Sequence, residues 1–78
     1  MTVEERVKKV TAKILRLDES KVKRESHFVK DLGAQSIQSI ELVAAYEEEF
    51  GIEMDGDDAL QMKTVGAAAD YISKLVQK

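Results

Sequence analysis

The sequence predicts an all-α fold, a four-helix bundle of three main helices and one short third helix. Three observations carry that prediction. Apolar residues recur at three- and four-residue spacing in three separate stretches, the period of helices that bury one face. Strand-like alternation is confined to the three residues around Ile52. Glycines, acids and capping residues separate the stretches, and the chain has no proline. At 78 residues the expectation is one domain, 1–78, with one small core of Val, Leu, Ile and Ala.

The first helix opens on Thr2-Val3-Glu4-Glu5, a capping box with Thr2 as cap and Glu5 reaching back. Val3, Val7, Val10, Ile14 and Leu17 then form one stripe, which ends near Arg16 or Leu17. Asp18 to Lys30 lacks periodicity. A loop of that length in a small domain is expected to hold a helical turn or to pack across a helix end. Val22, Phe28, Val29 and Leu32 are its expected anchors. His27 reads as a half-exposed loop residue, because the chain offers no second histidine or cysteine to pair with it.

Asp31-Leu32-Gly33 ends the loop, and Gly33 permits a positive φ. The second helix is expected from Ser36 to Phe50. On a helical wheel Ser39, Val43, Tyr46 and Phe50 share the buried side, with Leu42 beside them. Ile37, Glu41, Ala44 and Glu48 share the exposed side. Gly51 stops the helix. Ile52 and Met54 then tuck a short extended connection into the core. Asp55-Gly56-Asp57-Asp58 lacks the ligand spacing of a calcium loop and reads as a turn and helix start. Ala59, Leu60 and Met62 belong to the short third helix. Thr64 caps the last helix, whose stripe is Val65, Ala68, Ala69, Ile72, Leu75 and Val76. Its alanines at 67, 68 and 69 allow close approach to neighbours. A frayed end is expected over Leu75-Val76-Gln77-Lys78.

The charges are segregated. Residues 31–62 carry nine acids and no Lys or Arg, whereas residues 1–30 carry nine basic groups against five acids. The acidic segment repels nucleic acid and anionic lipid and attracts a basic protein surface. With no cysteine and one histidine, disulfides and a zinc cluster are not expected, and no metal site is assigned. No apolar run is long enough to span a membrane, and no secretory or transit leader is evident. A cytoplasmic monomer without nucleic-acid or membrane partners is the expectation.

Asp31 to Leu42 is the stretch around which the chain is organised. A glycine turn delivers Ser36 to the start of a helix that carries Glu41, Glu47, Glu48 and Glu49. No His or Lys lies near enough in sequence to activate Ser36 as a nucleophile. A phosphate ester there would meet free backbone N–H groups and the positive end of the helix dipole. Helix capping competes with that reading, and from the residues alone the cap is favoured.

The run Phe28-Val29-Lys30-Asp31-Leu32-Gly33-Ala34-Gln35-Ser36-Ile37 resembles an acyl carrier protein of the type II fatty-acid or polyketide kind. Glu41-Leu42-Val43, Glu47-Glu48-Glu49-Phe50-Gly51-Ile52, Thr64-Val65 and Asp70-Tyr71-Ile72 continue the resemblance, which covers nearly the whole chain. It implies a four-helix bundle without catalysis of its own. It further implies that Ser36 bears 4′-phosphopantetheine, attached by a phosphopantetheinyl transferase, with acyl chains held as thioesters on the arm. Ile37, Glu41, Ala44, Glu47 and Glu48 are the implied docking positions for acyl synthase and transferase enzymes with basic patches. Val43, Tyr46, Met54, Leu60, Met62, Ala68 and Ile72 are the implied acyl pocket, between the second, third and fourth helices.

The chain departs from the family where Asp-Ser-Leu is usual and Gln35-Ser36-Ile37 stands instead. Gln38 also replaces a common acid, and Tyr46 a smaller aliphatic residue. Met54 and Met62 occupy positions often β-branched. These departures suggest a carrier dedicated to one pathway. A small acidic interaction module with Ser36 unmodified is the alternative, and an amino-acid carrier a weaker one.

Overall fold

A computed structural model describes residues 2–76. Its order is α1 (Val3–Leu15), a single 3-10 turn (Glu19–Lys21), α2 (Ser36–Phe50), α3 (Gly56–Gln61) and α4 (Val65–Val76). The four-helix bundle expected from the periodicity is the fold observed. α1 lies against both α2 and α4 and is the element the bundle closes on.

The capping box at Thr2 forms, with Thr2 N–H donating to Glu5 and Glu5 N–H donating to Thr2. α1 ends at Leu15, and Arg16 takes a left-handed conformation at φ 57° as its C-cap. Leu17, assigned to the stripe, therefore lies past the helix, its N–H donating to Ala12 O. Val7 is fully buried on the expected stripe, and Thr11 and Ala12 are buried beside it. A helix packed on two neighbours buries a wider face than one stripe. Thr11 Oγ1 donates to Val7 O at 2.8 Å, so the buried Tyr46 hydroxyl of α2 donates to Thr11 Oγ1. On the outer edge Arg6 pairs with the Glu49 carboxylate at 2.9 Å and lies 4.4 Å from the Phe50 ring centroid.

The loop after α1 holds the expected helical turn, capped by Asp18 on Ser20 N–H. Val22 and Phe28 anchor it in the core, but Val29 is exposed. The loop is stitched to the start of α4. Phe28 N–H donates to Lys63 O, Val65 N–H to Ser26 O and Gly66 N–H to Arg24 O. This pairing centres on an antiparallel bridge between His27 and Thr64. Gly66 makes it possible, since a Cβ there would sit 2.6 Å from Arg24 Cγ and 3.0 Å from Arg24 O. Arg24 also spans Glu4 of α1 and Asp70 of α4, at 2.8 and 2.6 Å.

Gly51 closes α2 at φ 63°. Ile52 and Met54 run through the connection half-buried, as expected. Asp55 caps α3 by accepting Asp57 N–H at 2.8 Å, and Asp58 accepts the Tyr71 hydroxyl at 3.1 Å. The acids of this turn thus serve as caps and anchors. α3 is shorter than assigned, since Met62 follows it as the C-cap, and none of its residues is buried. Thr64 caps α4 through Ala67 N–H. Leu75 and Val76, expected to fray, are helical. Gln77 and Lys78 lie outside the described residues.

Candidate functional site

α2 begins where it does because the preceding segment is wound into a fixed turn. Asp31 and Leu32 donate backbone N–H groups to His27 O, Gly33 to Val29 O and Ala34 to Phe28 O. The Asp31 carboxylate accepts His27 N–H at 2.7 Å, and His27 Nδ1 accepts from Val29 and Lys30 N–H. His27 is a half-buried loop residue whose ring supports this turn. Gly33 sits at φ 70° and lets the chain leave the turn without a steric penalty. Ala34 is buried beneath it and fixes the exit. Asp31, Leu32 and Gly33 are therefore the mechanical base on which the serine stands.

Ser36 is the first residue of α2, not its cap. The residue before the helix is Gln35, whose N–H donates to Gln38 Oε1 at 2.8 Å. This corrects the reading of Ser36 as the cap. The amide at the third helical position does that work, as glutamine does in a capping box. Ser36 is exposed, and its hydroxyl has no hydrogen-bond partner among the described residues. The N–H groups of Ser36 and Ile37 open the helix with no carbonyl a turn before them. The first turn of α2 contains no acid.

Beside Ser36 lies a groove of about 960 Å³ between α2, α3 and residues 27–30. Ser36 and Ile40 line it one turn apart, and Val43, Ala44 and Tyr46 continue its wall. Leu60 and Met62 close the opposite side. Phe28 forms part of the wall near the loop, and Lys30 and Lys63 also line the groove. Of the expected pocket residues, Val43, Tyr46, Leu60 and Met62 line this groove. Ala68 and Ile72 do not. Both are fully buried in the core, because α4 packs on α1 and turns that face inward. Met54 packs against the core from the connection rather than lining the groove. The Tyr46 hydroxyl is sealed against Thr11, and burial pushes the phenol pKa upward. Leu60, which belongs to the groove wall, is 78% exposed.

A family model described as the phosphopantetheine attachment site matches residues 5–72. The chain is also similar to a solved structure described as "a putative acyl carrier protein" from Mycobacterium tuberculosis. That pair has 30% identity and a TM-score of 0.88, and the match covers 95% of this chain and 99% of the other. The chain belongs to the acyl carrier protein family. Its covalent prosthetic group is 4′-phosphopantetheine, and it is a carrier of acyl groups on that arm. The residues present fit such a group. This acyl carrier protein presents an unpartnered, exposed hydroxyl at a helix start, where backbone N–H groups and the helix dipole favour a phosphate. An apolar groove opens beside that hydroxyl.

The carrier's expected docking positions separate into two kinds. Ile37, Glu41, Ala44 and Glu48 form one exposed stripe, with Ile37 67% exposed. Glu47 is half-buried, and its Oε2 accepts Met54 N–H at 2.8 Å, so it secures the connection after α2. Ile40 was not singled out in the sequence, yet it is 72% exposed at the groove. The signal was available, because the residue four after Ser36 shares its helix face. Among the described residues no helix is long and apolar enough to cross a membrane.

Proposed function

We propose that Ser36 is the attachment point of the arm and that the groove along α2 receives the acyl chain. The observation that carries this reading is the free Ser36 hydroxyl at the groove, on the first turn of α2. When bound, the prosthetic group supplies a flexible reach and a thiol for thioester linkage. Ser36 supplies the ester oxygen, and the attaching enzyme supplies the base that accepts its proton. Ile40, Val43, Leu60 and Met62 exclude water from an apolar cargo. The chain itself catalyses nothing in this reading and works as a monomer in the cytoplasm.

Ile37, Glu41, Ala44 and Glu48 present the docking ridge to transferases and acyl-handling enzymes with basic patches. Opposite charges steer such encounters and make them salt-sensitive. Glu47 contributes by fixing the ridge rather than by offering a free carboxylate. The neutral first turn and the Tyr46 wall support a carrier dedicated to one pathway.

The test is a chemical-shift comparison of the carrier with a bare arm and with a medium-length acyl chain on it. Shifts at Ile40, Val43, Leu60 and Met62, with Ala68 and Ile72 quiet, support the groove. Perturbation centred on Ala68 and Ile72 would place the cargo between α1 and α4 instead.

A further inference from the structure

The cap of α2 is the residue directly before the serine. Gln35 has the extended backbone of an N-cap, at φ −94° and ψ 166°. Its N–H is held by Gln38 Oε1 at 2.8 Å. The Gln38 side chain therefore reaches back past Ser36 and Ile37 and ties the residue before the serine to the helix. Gln38 is half-buried, whereas Ser36 and Ile37 are exposed on either side of that tie. A serine that caps its own helix turns its oxygen inward to accept a backbone N–H. Here another side chain does the capping, and Ser36 Oγ is left without an internal partner among the described residues.

We propose that Gln38 is a positioning residue for modification of Ser36: it closes the first turn of α2 across the serine and leaves the hydroxyl outward and uncommitted. The proposal rests on Ser36 being the attachment point. It assigns a role to the neutral amide that stands where the family often has an acid. Gln38 holds the turn as an acceptor. It need not meet a basic group on the attaching enzyme.

The magnitude follows from fraying. First turns of helices open at close to zero free-energy cost. Losing a cap shifts that equilibrium by on the order of fivefold. If only the closed turn is modified, the apparent KM rises by the inverse of the closed fraction. These combine to about a twofold to fourfold rise in KM for the carrier, with kcat unchanged.

The experiment compares wild type, Gln38→Met and Gln38→Glu with coenzyme A and a broad-specificity phosphopantetheinyl transferase. Methionine keeps the length and removes the acceptor, and glutamate keeps the acceptor. Hydrogen exchange at the Gln35 amide is measured on the same unmodified chains. The expected result is raised KM and lost Gln35 protection in Gln38→Met, with both restored in Gln38→Glu. Wild-type KM and protection in Gln38→Met would overturn the proposal. So would a Gln38→Glu chain that keeps its protection but loads as poorly as Gln38→Met, since the amide would then act by touching the enzyme. Failure of the Ser36 reading is separate: modification would persist in Ser36→Ala. If wild type is not loaded at all, the exchange comparison still decides, because unchanged Gln35 protection in Gln38→Met removes the basis of the idea.

Discussion

The buried pair between Thr11 and Tyr46 predicts an asymmetry. Both residues are essentially inaccessible, and both hydroxyls sit where α1 meets α2. Tyr46→Phe removes the outer hydroxyl. Thr11 Oγ1 keeps its 2.8 Å bond to Val7 O, so no buried group is left wholly unpaired. The loss is that of an ordinary hydrogen bond, about 1 kcal/mol. Thr11→Val does the opposite and strands the Tyr46 hydroxyl in the core. An orphaned buried donor costs more, about 2 kcal/mol here. The double variant removes both partners and leaves an apolar contact, so its cost falls near that of Tyr46→Phe alone, about 1 kcal/mol. Neighbouring sites that couple in this way are not additive. Urea unfolding of the unmodified chain measures all three, read at constant m. Each kcal/mol corresponds to about 4–8 °C in Tm for a domain of this size. A Tyr46→Phe cost above that of Thr11→Val, or strictly additive costs, would refute the hydrogen-bond direction assigned here.

Three further outcomes are expected. Gly66→Ala should destabilise the fold by about 1–3 kcal/mol, although alanine is the better helix former, because its Cβ collides with Arg24 at the loop crossing; a stabilised variant in thermal melts would contradict that crossing. Gly33→Ala meets no atom within 4 Å, so its cost is only that of the left-handed backbone, about 1–2 kcal/mol, and Gly33→Asn should lose less; equal melting temperatures for the two would count against it. Hydrogen bonding to the Arg24 guanidinium holds the Glu4 and Asp70 carboxyls below their ordinary values. A lowered folded pKa stabilises above the unfolded value and is lost as pH falls through the folded one. Stability should therefore decline from about pH 4.5 downward, and Arg24→Gln should flatten that decline in urea titrations at pH 3 and 6.

The helices were legible because their signals are local. Thr2 with Glu5, Gly51 after Phe50, and Thr64 before Val65 each mark an end through a cap the structure forms. The exposed stripe of Ile37, Glu41, Ala44 and Glu48 also followed from the period of one helix. What periodicity does not encode is how one helix sits on another. Ala68 and Ile72, which the family resemblance places in the acyl pocket, lie fully buried in the core and do not line the groove beside Ser36. Thr11 is polar and off the apolar stripe, and its burial follows from the packing of α1 on its neighbours, with the Tyr46 hydroxyl of α2 as a partner. Glu47 looked like its neighbour Glu48. The return of the chain at Met54 separates them, giving one carboxylate a backbone partner and leaving the other to solvent. Around Ser36, the turn chemistry of Asp31 and Gly33 was readable. The transfer of the capping role to Gln38 was not, because glutamine is an uninformative residue until its partner is known.

The claim that Ser36 is the tether is tested most directly by intact mass followed by fragment mapping after incubation with coenzyme A and a broad-specificity transferase. The account predicts one added phosphopantetheine, located on Ser36 and absent in a folded Ser36→Ala chain. A folded wild-type chain that stays unmodified with every transferase, or one modified at Ser39, would contradict it.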